Sequence, residues 1–98
     1  MVKTSDAVQL AGYLICQGRD EVEIVERYLP NHIELTLAEA GCLSFRVEQT
    51  EDPLVWMVAE KFSDEREFAD HQTRAKASEW GQATVGIKRD YEVQCGVQ

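Results

Sequence analysis

The segment GCLSFRVEQTEDPLVWMVAEKFSDEREFADH, residues 41–71, predicts a strand, a tight turn, a second strand and the start of a helix. Residues 42–50 alternate apolar and polar side chains, which is typical of a half-buried strand. Residues 51–53, Glu-Asp-Pro, have the composition of a turn. Residues 54–62 are apolar on both faces, so this strand needs a cover on each side.

The preceding part of the chain predicts a strand and a long helix. Residues 8–17 are apolar on both faces, which suits a central strand. A helix is predicted from Asp20, a candidate N-cap, to about Ala40, with Gly41 as a left-handed C-terminal cap. Pro30 removes a backbone hydrogen bond, so we expect a kink or a break there. The apolar stripe predicted for this helix consists of Val22, Val25, Leu29, Ile33 and Thr36.

The following part predicts a second helix and a last strand. Ser63 and Asp64 are candidate N-caps of a helix that reaches about Ser78. A connection follows at residues 80–81, and residues 87–94 form the last strand. The order is therefore β-α-β-β-α-β. With right-handed crossovers this order gives an antiparallel sheet with both helices on one face, a ferredoxin-like sandwich of the α+β class.

The second face of that sheet has no cover within one chain. Val55 and Met57 are predicted on this face, and apolar side chains on an open sheet face favour association. A second copy of the chain is the simplest cover, so we expect a homodimer. The length of 98 residues fits one domain, residues 1–98.

Composition excludes several classes of function. The formal net charge is −8 without a basic patch, so nucleic-acid binding is not expected. No apolar run is long enough to span a bilayer, and the N-terminal residues lack the core of a signal peptide, so we expect a cytoplasmic protein without a membrane partner. The cysteines are widely spaced and the two histidines are far apart, which predicts no metal site. No phosphate-binding glycine loop is present. The cysteines are Cys16, Cys42 and Cys95.

His71 is the first candidate for chemistry. On the second predicted helix it shares an inward stripe with Phe68, Ala75 and Ser78. The small side chains beside it would leave space next to the ring. The ring can then move a proton or hold a ligand. The alternative is a core histidine bonded to a backbone carbonyl.

Trp56, Glu60 and Phe62 share one face of their strand by the two-residue period. The aromatic pair, together with Phe45 from the preceding strand, would form apolar walls of a cleft. Plain core packing is the alternative for the aromatic residues. Glu60 would lie at the pocket rim or pair with a basic residue.

Three further residues are candidates for binding. His32 follows Pro30, where a kink often accompanies a pocket, although a half-exposed surface position is typical of histidine. Tyr13 would place its phenol at the cleft or at the dimer face. Trp80 follows the second helix and would close the mouth of the cleft.

Gly41-Cys42-Leu43, Glu60-Lys61-Phe62 and His71 together resemble the antibiotic biosynthesis monooxygenase (ABM) family. The resemblance spans about residues 13–93. The family's small quinol-monooxygenase-like members belong to the dimeric α+β barrel superfamily. The resemblance implies a homodimer, oxygen chemistry without a cofactor, and a histidine at the cleft in the position of His71. The sequence AKASEW at residues 75–80 replaces a Pro-His-Phe motif, which argues against the similar haem-degrading oxygenases.

Two alternatives to an enzyme remain from the sequence. The enzyme would be a cofactor-independent monooxygenase that acts on a small aromatic phenol or quinol, with His71 as the proton-transfer group. A binding module would hold a small apolar ligand without turnover. A structural dimer would have a cleft filled by side chains, because one fold supports many functions.

Overall fold

Four strands and three helices form within residues 6–97, the part of the chain described by the computed structural model; side chains are described for residues 6–96. The predicted domain, residues 1–98, includes both ends, which lie outside this range. The predicted β-α-β-β-α-β order is confirmed, with one short helix added before the last strand. The elements are β1 (Ala7–Ile15), α1 (Arg19–Leu37), β2 (Cys42–Gln49), β3 (Val55–Phe62), α2 (Glu65–Ala77), α3 (Glu79–Ala83) and β4 (Lys88–Val97).

The four strands form one antiparallel sheet in the order β2-β3-β1-β4. Leu10 and Leu14 of β1 pack with Val58 of β3 against Val25 and Leu29 of α1 in one core cluster. Because α1 and α2 cover the same face, the α+β ferredoxin-like prediction is confirmed. No helix within residues 6–97 is long and apolar enough to cross a membrane.

Of the kink or break predicted at Pro30, the break is wrong, because α1 runs without interruption from Arg19 to Leu37. Pro30 is exposed, so the backbone group that it leaves unbonded can be solvated. The free energy gained by burying the apolar stripe before and after Pro30 then exceeds the cost of the one lost hydrogen bond. The stripe passes through His32 instead of the predicted Ile33, since spacings of three and four both fit a 3.6-residue period. The buried residues of α1 are Val22, Val25, Leu29, His32 and Thr36.

Gly41 does not have the predicted left-handed conformation, since the described glycines with positive φ are Gly12 and Gly96. The helix ends earlier, and Ala38 is its C-cap. The reason for glycine at position 41 is space, because a Cβ there would overlap the side chain of Glu67 in the first turn of α2. Gly41 therefore permits the close approach of α2 to the start of β2.

The two faces of β3 carry the side chains predicted for them. Glu60 and three large apolar side chains are buried toward the helices. The alternate positions are half-buried on the open face of the sheet. The helix side carries Trp56, Val58, Glu60 and Phe62, and the open side carries Val55, Met57, Ala59 and Lys61.

Side-chain caps position the two helices that follow β3. Asp64 accepts a hydrogen bond from the Glu67 backbone N–H at 2.8 Å, which confirms one of the two predicted caps. Ser78 begins α3 by accepting from the Gly81 N–H at 3.2 Å. The sequence predicts only a connection here, and the extra helical turn buries Trp80 against the core.

Candidate functional site

A cavity of about 310 Å³ lies between the helices and the covered face of the sheet. Its volume is at the lower end of those of small-molecule sites. All three helices contribute to its wall. Five of the side chains predicted from the sequence line it, namely His32, Phe45, Glu60, His71 and Trp80.

His71 extends from α2 into this wall and is 2% exposed. Its Nδ1 lies 2.8 Å from Glu39 Oε1, and its Nε2 lies 3.6 Å from Glu60 Oε1. Arg74 Nε donates to the other oxygen of Glu39 at 2.8 Å, and Arg74 Nη2 donates to Thr36 Oγ1 at 3.1 Å. The partner of His71 is therefore a fixed carboxylate, not the backbone carbonyl of the core alternative.

Arg74 and His71 favour an ionised Glu39, whereas burial favours a neutral His71 ring. Burial raises the pKa of Glu39, but the hydrogen bonds from Arg74 and His71 outweigh it and hold that pKa below its usual value. Burial lowers the pKa of His71, against the opposing effect of Glu39. With Glu39 ionised, Nδ1–H donates to it, and Nε2 keeps a lone pair on the side of Glu60.

Glu60 lies inside the wall and is 8% exposed, so its predicted position at the rim is wrong. The predicted basic neighbour is His71, whose Nε2 lies 3.6 Å from Glu60 Oε1. Its Oε1 is buried and has no hydrogen-bond partner among residues 6–96. The pKa of Glu60 is raised to about 7, mainly by burial and also by the charge of Glu39, with Arg89 opposing the shift. A carboxyl with such a pKa exchanges its proton near neutral pH.

His32 is 4% exposed, which rules out the half-exposed position expected for it. Its ring stacks on Trp80 with centroids 4.8 Å apart and planes 7° apart, and it meets the edge of Phe45 at 5.4 Å. Burial lowers the pKa of His32 to about 4, and the nearby His71 and Arg74 add to the effect. The ring is therefore neutral at physiological pH and forms part of an aromatic wall.

Three predicted site residues do not line the cavity. The Phe62 ring lies 4.7 Å from the His71 ring and supports it from the core side. Trp56 shares the face of Glu60 but is four residues away, about 13 Å along the strand, and packs in the core. Tyr13 is 47% exposed on the opposite face, where it pairs with Met57, so its placement at the cleft is corrected.

Sequence reasoning did not place the last strand, β4, at the cavity. Arg89 and Tyr91 line the cavity because β4 pairs with β1 and places both side chains on the covered face. The Arg89 guanidinium donates to Thr84 O at 2.8 Å and to Ile87 O at 3.0 Å, so it is anchored to the preceding turn. Burial raises the pKa of Tyr91 to about 12, partly offset by Arg89. The two-residue period put both on one face, but only the pairing identified that face as the cavity wall.

Gln72 and Lys76 of α2 also border the cavity, one and five positions after His71. They were missed because polar residues on a helix normally face solvent. Among residues 6–97, no group of three or more His, Cys, Asp or Glu side chains is arranged to hold a metal ion.

The fold has clear relatives among solved structures. MupZ from Pseudomonas fluorescens is 18% identical over 97% of this chain and 72% of its own, with a TM-score of 0.78. A proposed antibiotic biosynthesis monooxygenase from Nitrosomonas europaea is 17% identical over 98% of this chain and 95% of its own, with a TM-score of 0.80. Rv0793 from Mycobacterium tuberculosis is 15% identical over 94% and 96%, with a TM-score of 0.73. At these identities the likeness shows the fold alone.

The sequence itself carries the family assignment. No curated protein has a significant sequence match to the chain. The family profile described as "Antibiotic biosynthesis monooxygenase" matches residues 18–83, which include α1, β2, β3, α2 and α3. This chain therefore belongs to the antibiotic biosynthesis monooxygenase family.

Proposed function

We propose that this chain is a cofactor-independent monooxygenase that oxidises a small phenol or quinol in the cavity. The observation that carries the proposal is the buried His71, whose Nδ1 is held by Glu39 and whose Nε2 lies at the wall of an aromatic cavity. Family membership supports the reaction class. The cavity volume argues against a cleft filled by side chains.

The reduced aromatic itself supplies the electrons in this proposal. For a hydroquinone, one molecule of substrate and one of O₂ give one hydroxyquinone and one water. Loss of the hydroxyl proton makes the ring a better electron donor, so a proton acceptor beside the substrate accelerates the reaction. His71 is the residue placed for this transfer. Its neighbours Phe45, His32 and Trp80 would provide walls that exclude water and leave room for a flat ring.

The proposed assembly is a homodimer through the open face of the sheet. Val55 and Met57 are half-buried in the single chain and lie on that face, so they would be covered in such a dimer. The predicted cytoplasmic location and the lack of nucleic-acid and membrane partners rest on the sequence alone.

Oxygen uptake tests the proposed function. The purified protein, treated with a metal chelator and given no flavin, is assayed with an oxygen electrode against a panel of phenols and quinols. We expect uptake that depends on protein concentration and exceeds autoxidation of the substrate. Heat-denatured protein controls for trace catalysts.

The second candidate is a module that binds a small aromatic without turnover. The side of the cavity formed by His32, Phe45 and Trp80 favours it, because stacked rings bind flat ligands whether or not a proton moves. In a Trp56→Phe variant, which leaves Trp80 as the one tryptophan, saturable quenching of fluorescence without oxygen uptake across the panel would select this function over the enzyme.

A further inference from the structure

Glu60 differs from the other acidic residues around the cavity in having no fixed partner. Glu39 is held by Arg74 and His71, whereas Glu60 Oε1 is buried without a hydrogen bond among the described residues. Removing a carboxylate from water without a partner is costly, so structures rarely keep one that has no role. Glu60 also lines the cavity, within reach of a bound molecule.

Glu60 lies where it could accept a proton from the cavity-facing nitrogen of His71. The contact between His71 Nε2 and Glu60 Oε1 is 3.6 Å, longer than a hydrogen bond and short enough to become one after a small movement. Nδ1 is occupied by Glu39, so a proton that arrives at His71 comes to Nε2. The resulting imidazolium would attract the Glu60 carboxylate across the gap.

We propose that Glu60 is a second catalytic residue, which receives the substrate proton from His71 Nε2 and holds it while the substrate is oxidised. This inference rests on the proposed function, because it assigns the final position of the proton in that reaction. The O–H bond of the phenol breaks and its electron pair stays on the phenolate oxygen. An N–H bond forms at Nε2 and is replaced by an O–H bond on Glu60, so no further reactant is needed.

The surroundings support Glu60 as the more basic acceptor. The pKa of Glu60 is about 7, raised first by burial and then by Glu39, while burial lowers that of His71. Arg89 opposes the shift of Glu60. The other charged or titratable side chains around the carboxyl are His32 and Lys76 at the cavity wall, Tyr91 of β4 and Cys42 of β2.

Binding of 4-cyanophenol, which is mostly neutral in solution at about pH 7.5 and whose phenolate has its own absorption band, tests the proposal without turnover. At about pH 7.5 a carboxyl with a pKa of about 7 is still mostly ionised. We expect the wild-type complex to show the phenolate band together with the infrared carbonyl stretch of one newly protonated carboxyl. In Glu60→Gln the carboxyl stretch should be lost. The matched control Glu51→Gln, an exposed carboxyl in the β2–β3 turn, should keep it.

Each outcome decides the proposal. Bound phenolate without the carboxyl stretch in the wild type overturns it, as does a stretch that persists in a folded Glu60→Gln variant. Binding of the neutral phenol alone also overturns it. Since the first and third outcomes need no variant, the test survives if Glu60→Gln fails to fold. Absence of any binding removes this role for Glu60, and oxygen uptake with the phenol and quinol panel then tests the proposed function separately. The expected spectra without oxygen uptake remove the oxidation and leave the proton transfer to Glu60.

Discussion

The two ring nitrogens of His71 have different neighbours, and this difference sets the chemistry available to the ring. Nδ1 is fixed by Glu39, which Arg74 holds in turn, and Nε2 is left for the cavity. The helical period predicts that His71 points inward. It does not predict Glu39, which lies 32 positions earlier in the turn after α1. A partner at that separation is identified only when the helices pack on the sheet.

Replacement of His71 by Ala should lower turnover roughly 10²–10⁴-fold if the ring moves the substrate proton. Oxygen uptake and thermal unfolding are measured on the same preparation, so that activity is expressed per folded molecule. Leu35→Ala removes an exposed apolar side chain of α1 away from the cavity and serves as the matched control. A variant that loses about 1–3 kcal/mol of stability but keeps its activity per folded molecule would reduce His71 to a packing residue.

Replacement of Glu60 by Gln should change how stability depends on pH. The pKa of Glu60 is raised from 4.5 to about 7, so the folded state binds the proton more tightly than the unfolded state. The stabilisation is complete below pH 4.5 and is lost as the pH rises to about 7. The full loss is at most about 3 kcal/mol. Denaturant unfolding of wild type and variant across this range measures the difference.

The contribution of His32 to stability has the opposite pH dependence. It is expected to cancel when wild type and Glu60→Gln are compared. The pKa of His32 is lowered to about 4, so its stabilisation is present above 6.5 and is lost as the pH falls toward 4. Wild type and Glu60→Gln both contain His32, and their difference isolates the carboxyl. If the two proteins show the same pH dependence between 4.5 and 7, the carboxyl is not held in its protonated form by burial.

The short helix α3 brings Trp80 to the cavity, and Gly81 allows its tight contact with α2. A Cβ at Gly81 would collide with the Ala75 carbonyl and with the backbone of Lys76. Ser78 ends α2 and begins α3, so the chain turns within one residue. The sequence shows Ser78 and Gly81 as turn-forming residues, but the helical turn between them depends on burial of Trp80.

Replacement of Gly81 by Ala should lower the free energy of unfolding by about 1–3 kcal/mol, because backbone must move to admit the methyl group. Gly86→Ala is the matched control, since nothing lies within 4 Å of the added Cβ and the residue caps no helix. Its effect should stay within about 0.5 kcal/mol. Thermal and denaturant unfolding measure both variants. Equal effects at the two glycines would contradict the close packing of α3 on α2.

The sheet has one face under the helices and one without a cover in the single chain. The open face includes Met57, paired across the strands with Tyr13. A small domain buries a limited fraction of its surface, so covering this face would add stability. The open face, which lies on the opposite side of the sheet from the cavity, is therefore the expected contact between two copies.

Sedimentation at micromolar concentration should show a dimer, twice the 11.1 kDa of the chain. Met57→Glu places a charge on the expected interface of an already acidic protein and should weaken association by about tenfold or more. Leu35→Glu, an exposed apolar position on α1, is the matched control and should leave the dimer intact. A species of 11.1 kDa alone in the wild type would remove the dimer.

Local pattern in the sequence determined the strands, the two main helices, their order and the inward direction of Phe45, Glu60 and His71. These features follow from periods of two and 3.6 residues, which depend on neighbouring positions. Tertiary structure decided the continuity of α1 through Pro30 and the formation of α3. It also decided the contact between Glu39 and His71, the position of Arg89 and Tyr91 in the cavity wall, and the position of Tyr13 on the opposite face of the sheet. Each of these depends on burial or on contacts between distant segments, whose energies exceed local preferences and leave no periodic signal in the chain.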